Sequence, residues 1–221
     1  EVPDLDVACT GNGLGFETVD DGSLVRGPVG RHELTIHGSN GVSHLEIGWY
    51  LPMEQLVLKA LGRVGNRPDL EAWLLSWLLA QPGLGEREQL LDRLDLALGY
   101  CLETPSLWGV LAGLRAAQIT DLPIRGEVEA AASRFSVEEA LTAEGLIGGA
   151  ALTSHPSSAR IDFTARDVTL ARFRLDGKPE SPAQQELEHG LRSAEARLRC
   201  ALSTDPDPEA VAWLLLGSPL G

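Results

Sequence analysis

Along the first fifty residues apolar and polar positions alternate in short runs, broken at Asn12-Gly13, Asp21-Gly22 and Gly38-Ser39-Asn40-Gly41. A period of two is the mark of a half-buried strand, and the breaks are residues that tolerate positive φ in tight turns. The pattern predicts an antiparallel β-meander of three or four strands. Its last hairpin can be placed in register: Leu34 and Ile36 alternate on one strand, Leu45, Ile47 and Trp49 on the next, and an even-length loop puts both sets on one inward face. Glu33, Thr35, His37, His44 and Glu46 then share the opposite face.

From about residue 53 the period lengthens to that of a helix. Pro68, Pro105 and Pro208 stand where first-turn prolines sit, with Thr104 and Asp207 as N-caps and Ser136 with Glu139 as a capping box. Helices are expected over 68–81, 86–102, 105–118, 125–134 and 136–147, with connections short enough for antiparallel neighbours. Residues 55–62 fit either period: Leu56, Leu58 and Ala60 suit a strand, Val57 and Leu61 a helix face.

After residues 153–158 alternation resumes, with Ile161 and Phe163, then Ala171, Phe173 and Leu175 directed inward and Arg172 and Arg174 outward. This predicts a second β-hairpin turning near Arg166-Asp167. Ser181, Pro182 and Gln184 open a helix that runs to about residue 203, with Leu187, Leu191, Ala194, Leu198 and Leu202 in one stripe, and a short helix follows over 208–216. The expected fold is α+β: an N-terminal antiparallel β-meander, a central helical block, a second β-hairpin and C-terminal helices. It forms a single domain over 1–221, which subdivides into sheet-containing parts, 1–83 and 151–221, around the helical block 84–150.

Composition narrows the function classes. With 221 residues, 43% hydrophobic against 23% charged, the chain can bury a core without disulfides or metal. Its 32 acidic and 18 basic residues give a net charge of -14, which repels nucleic acid and anionic membrane surfaces. No segment reaches the roughly 18 consecutive apolar residues of a membrane span. The start at Glu1 lacks the basic-then-apolar pattern of a leader, so no signal peptide is expected. Cys9, Cys101 and Cys200 are odd in number and far apart, which suits buried free thiols in a reducing cytoplasm.

Candidate chemistry is sparse. Gly11-Asn12-Gly13-Leu14-Gly15 is not a dinucleotide fingerprint, and neither Lys59 nor Lys178 sits in a phosphate-binding loop, so no cofactor is expected. His37, His44 and Glu46, with Glu33, are ligand types that zinc or iron accepts, although a solvated sheet face accounts for the same alternation. Ser39 lies in a hairpin turn rather than a nucleophile elbow, and His155 stands in a serine-rich loop. The helix over 68–81 is more informative. Leu70, Trp73, Leu74, Leu75, Trp77, Leu78 and Leu79 surround nearly its whole circumference. Such a helix must be covered on both sides, either by the rest of this chain or by another subunit. Its two tryptophans, Trp73 and Trp77, favour a contact surface, because tryptophan is enriched at interface hot spots.

Two stretches together resemble the class I chaperones of type III secretion systems. One runs from Val42-Ser43-His44-Leu45-Glu46-Ile47-Gly48-Trp49 through Leu56-Val57-Leu58-Lys59-Ala60-Leu61-Gly62 into the leucine-rich helix at 69–81. The other is the expected hairpin 160–175 with the amphipathic helix 182–203. The likeness covers about half the chain and rests on hydrophobic pattern. It implies a cytoplasmic, ATP-independent homodimer that pairs through helix 68–81 and holds an extended segment of a client on its sheet, with Leu70, Trp73, Leu74 and Trp77 as dimer or client contacts. The leading expectation is thus a non-enzymatic protein-binding module whose partner is a protein client or subunit, with no nucleic acid or membrane partner. The alternatives are a small metal-dependent enzyme using the face with His37 and His44, a hydrolase using His155, or a structural subunit of a larger assembly.

Overall fold

The computed structural model describes residues 7–8, 14–19, 22–38, 41–82, 87–101, 106–119, 164–175 and 182–217. The helices expected over 125–134 and 136–147, and the loop with His155, lie outside them. The fold is α+β, with N-terminal antiparallel strands followed by helices.

The strands among the described residues are β1 (Val7–Ala8), β2 (Gly15–Val19), β3 (Gly22–Arg26), β4 (Gly30–Gly38) and β5 (Gly41–Trp49). They form two separate antiparallel sheets, the hairpin β2-β3 and a three-stranded sheet in the order β1-β4-β5. The β4-β5 register closes at Gly38 opposite Gly41 and sets Leu34 opposite Leu45, Thr35 opposite His44 and Glu33 opposite Glu46, so each expected face is kept. Which face is covered differs from expectation. Leu34 and Thr35 are both buried, although they point to opposite sides, and Leu45 from the expected inward set is 48% exposed. The helix over residues 182–204 lies on part of the polar face, with Cys200 against Gly48 on the same side as Thr35.

The helices that follow among the described residues are α1 (Met53–Leu61), α2 (Pro68–Leu79), α3 (Arg87–Cys101), α4 (Leu107–Ala116), α5 (Ala165–Leu175), α6 (Pro182–Thr204) and α7 (Pro208–Gly217). α1 settles the ambiguous segment: Leu56, Val57, Ala60 and Leu61 are buried along one helical face and Leu58 is left outside. Pro68 is at the start of α2, and Asp207 caps α7 by accepting the Ala210 N–H at 2.9 Å. The cap of α4 is Ser106, whose Oγ accepts the Gly109 N–H at 3.1 Å.

Residues 165–175 correct the expected second hairpin: they form α5, not a strand and turn. Thr164 and Asp167 make a reciprocal cap, with the Thr164 N–H donating to Asp167 Oδ2 at 3.1 Å and the Asp167 N–H donating to Thr164 Oγ1 at 3.2 Å. The buried positions are Ala165, Val168 and Thr169, a spacing of three and four, while Phe173 is half exposed. Alternation among Ala171, Phe173 and Leu175 was therefore a coincidence of composition. Described residues from 164 onward carry no strand, so the C-terminal part contributes helices to the fold rather than a second sheet.

One apolar cluster joins α1 through α4 with α7, crossing the boundary proposed at 83/84. α2 lies at its centre and packs chiefly against α3 and α4, with α1 and α7 also in contact. α6 reaches from this cluster to the sheet, packing on β4 and β5. Its Cys200 Sγ comes so close that a Cβ added at Gly48 would lie 2.6 Å away. Ser203 at the end of α6 reinforces the junction, its Oγ accepting the Leu51 N–H at 2.9 Å, and Arg63 forms an ion pair with Asp205.

Candidate functional site

Of the side chains proposed as partner contacts, Leu70 is 3% exposed, Trp73 3%, Leu74 0% and Trp77 8%. The chain supplies its own cover on every side of α2. Trp73 donates its indole N–H to the Ala212 carbonyl of α7 at 3.2 Å and has the Trp108 ring 6.1 Å away, which in turn meets Trp213 edge-on at 4.9 Å. Ser76, the polar residue facing this core, is satisfied by donating to the Trp73 carbonyl at 2.8 Å. The dry centre of the molecule is thus a tryptophan cluster shared by α2, α4 and α7.

The polar face of the hairpin carries an arginine–carboxylate ion pair beside a histidine–carboxylate contact. Arg31 pairs with Glu46, and His44 Nδ1 lies 3.1 Å from Glu33 Oε1 and 3.4 Å from Thr35 Oγ1. These side chains are about half to two-thirds exposed, where such contacts contribute little to stability. Glu46 and His44 are neighbours on this face, and His37 stands opposite Val42 in register, its side chain outside the described residues. Among the described residues no group of three or more His, Cys, Asp or Glu side chains gathers as a metal site.

Neither described cysteine is poised as a nucleophile. Burial pushes the Cys101 thiol up to about 12, with the Asp69 carboxylate adding to the shift, and burial also raises Cys200. Both are free thiols. Asp69 itself is held below the usual carboxylate range. Burial acts to raise it but is outweighed by Arg67, the Leu70 N–H and the Ser106 hydroxyl together.

What the sheet presents to solvent is the outer edge of β5. It is the terminal strand of its sheet, nine residues long, and among the described residues no strand pairs with its far side. Val42 is 55% exposed and Leu45 48%, one on each face of the strand. Edge strands normally carry a guard such as a proline, a lysine, a bulge or a covering element. Gly41-Val42-Ser43-His44-Leu45-Glu46-Ile47-Gly48-Trp49 contains neither proline nor lysine. The alternation of these residues was legible, but their position at the edge follows only from strand order.

Among the described residues no helix is long and apolar enough to cross a membrane. No protein-family model matches the chain, and no curated protein or solved structure matches it.

Proposed function

We propose that this chain is a non-enzymatic polypeptide-binding module, chaperone-like in its mode of action, that holds an extended client segment along the outer edge of β5. The observation that carries the reading is the open nine-residue edge with Val42 and Leu45 exposed beside it. A strand added there pairs its backbone with that of β5, with client side chains on one face meeting Leu45 and those on the other meeting Val42. This is the binding mode implied by the resemblance to type III secretion chaperones, although the helical α5 departs from that topology. The charge of -14 keeps an exposed edge soluble and selects against acidic clients. The setting is a reducing cytoplasm, in which Cys101 and Cys200 stay thiols.

Selecting ten-residue peptides from a random display library on the intact chain tests this. Binders should alternate apolar and polar residues, slow hydrogen exchange at β5 amides, and lose at least tenfold affinity on Leu45→Lys. Binders that leave β5 exchange unchanged, or the absence of binders, would overturn it. Sedimentation of the free chain reports whether a second copy competes for the same edge.

A further inference from the structure

Between α2, α4, α5 and α7 lies a cavity of about 380 Å³, remote from β5, whose lining includes Trp73, Leu114, Arg115, Phe173, Leu215 and Leu216. Gln118, which is exposed, and Arg115 are the polar side chains of the lining. Arg115 holds its guanidinium carbon 4.5 Å from the centre of the Trp73 ring. Its Nη1 is sealed from solvent with no hydrogen-bond partner, and no carboxylate stands against the guanidinium among the described residues. Of the other partly buried arginines, Arg172 and Arg199 both pair with Glu195, although Arg199 Nε, like Arg115 Nη1, is buried without a hydrogen-bond partner. A partly buried guanidinium with no carboxylate beside it among the described residues is costly to maintain.

We infer that this cavity is a binding site for a small apolar carboxylic acid, whose carboxylate pairs with Arg115 and whose hydrocarbon body lies against Leu114, Phe173, Leu215 and Leu216. The volume falls in the range of small-molecule sites, about 300–1,000 Å³, and suits a single acyl or aryl chain rather than a folded peptide. A guanidinium fork matches a carboxylate in two parallel hydrogen bonds. One cation neutralises one carboxylate, whereas a phosphate dianion would remain half uncompensated in an apolar pocket within a chain of charge -14. Burial also lowers the pKa of Arg115, a cost that an anion in the cavity offsets.

Calorimetric titration of the full chain with decanoate, decanol and decylamine, below their aggregation thresholds, tests the assignment. Decanoate should bind saturably, at least tenfold tighter than decylamine and measurably tighter than decanol. Arg115→Leu should abolish the preference for decanoate over decanol while keeping the alcohol. Leu114→Glu, at a position 37% exposed, should weaken decanoate at least fivefold without lowering the melting temperature, and it carries the test if Arg115→Leu does not fold. Absence of saturable decanoate binding would overturn the inference. So would equal affinity for all three probes, or full decanoate affinity in either folded variant.

Discussion

Replacing Trp73 with alanine decides whether α2 belongs to the core or to an interface. The indole is 3% exposed, donates to the Ala212 carbonyl at 3.2 Å, faces Trp108 and roofs Arg115. Its removal forfeits the transfer free energy of a buried aromatic and leaves a cavity that the surrounding helices fill only in part. Substitutions of this kind cost about 3–5 kcal/mol. The lost indole hydrogen bond and ring contacts push the expectation towards the upper end, roughly 4–5 kcal/mol. Against a total stability of about 5–15 kcal/mol, such a loss is a large fraction of what holds the domain together. Urea unfolding followed by far-ultraviolet circular dichroism should show a lowered midpoint at unchanged slope. Leu58→Ala, on the exposed side of α1, should stay within about 0.5 kcal/mol. A Trp73→Ala protein that loses less than about 1 kcal/mol but fails to self-associate or to bind its client would refute the core assignment and restore α2 as a contact surface.

Two further outcomes probe the junctions around that core. Gly48→Ala should destabilise the chain by about 1–3 kcal/mol through overpacking against Cys200, although in an unobstructed strand alanine is favoured over glycine by about 0.5–1 kcal/mol; adding Cys200→Ala should recover most of the loss, and strict additivity in the double-mutant cycle would show that α6 does not press on the sheet there. Asp69→Asn should cost about 1–3 kcal/mol at neutral pH, because the charged carboxylate accepts from Arg67 and Ser106. Since its folded pKa is depressed below 3.8, that contribution is present above the unfolded value and is lost as pH falls through the folded one, so wild type and variant should converge in acid; a gap that persists there would point to a packing defect instead.

The elements with strong local signals were legible in the residues alone. Hairpin β4-β5 and its two faces followed from strict alternation and a two-residue turn, and α2, α6 and α7 from helical spacing with proline near their starts. The apolar circumference of α2 likewise required that the helix be enclosed. α5 was missed because a short run of alternating apolar residues fits either period, and the deciding signal, the Thr164–Asp167 cap, is a pair of side-chain hydrogen bonds rather than a hydrophobic pattern. What enclosed α2, whether other helices or another subunit, could not be read from the helix itself. It depended on how α3 and α4, which follow α2, and α7, from the far end of the chain, pack around it. The same holds for both candidate sites. The residues of β5 announce a strand, but only strand order makes that strand an edge, and Arg115 is one arginine among many until helix packing closes Trp73, Phe173 and Leu215 around it. Local periodicity is set by neighbours in sequence, whereas exposure and unpaired charge are set by neighbours in space.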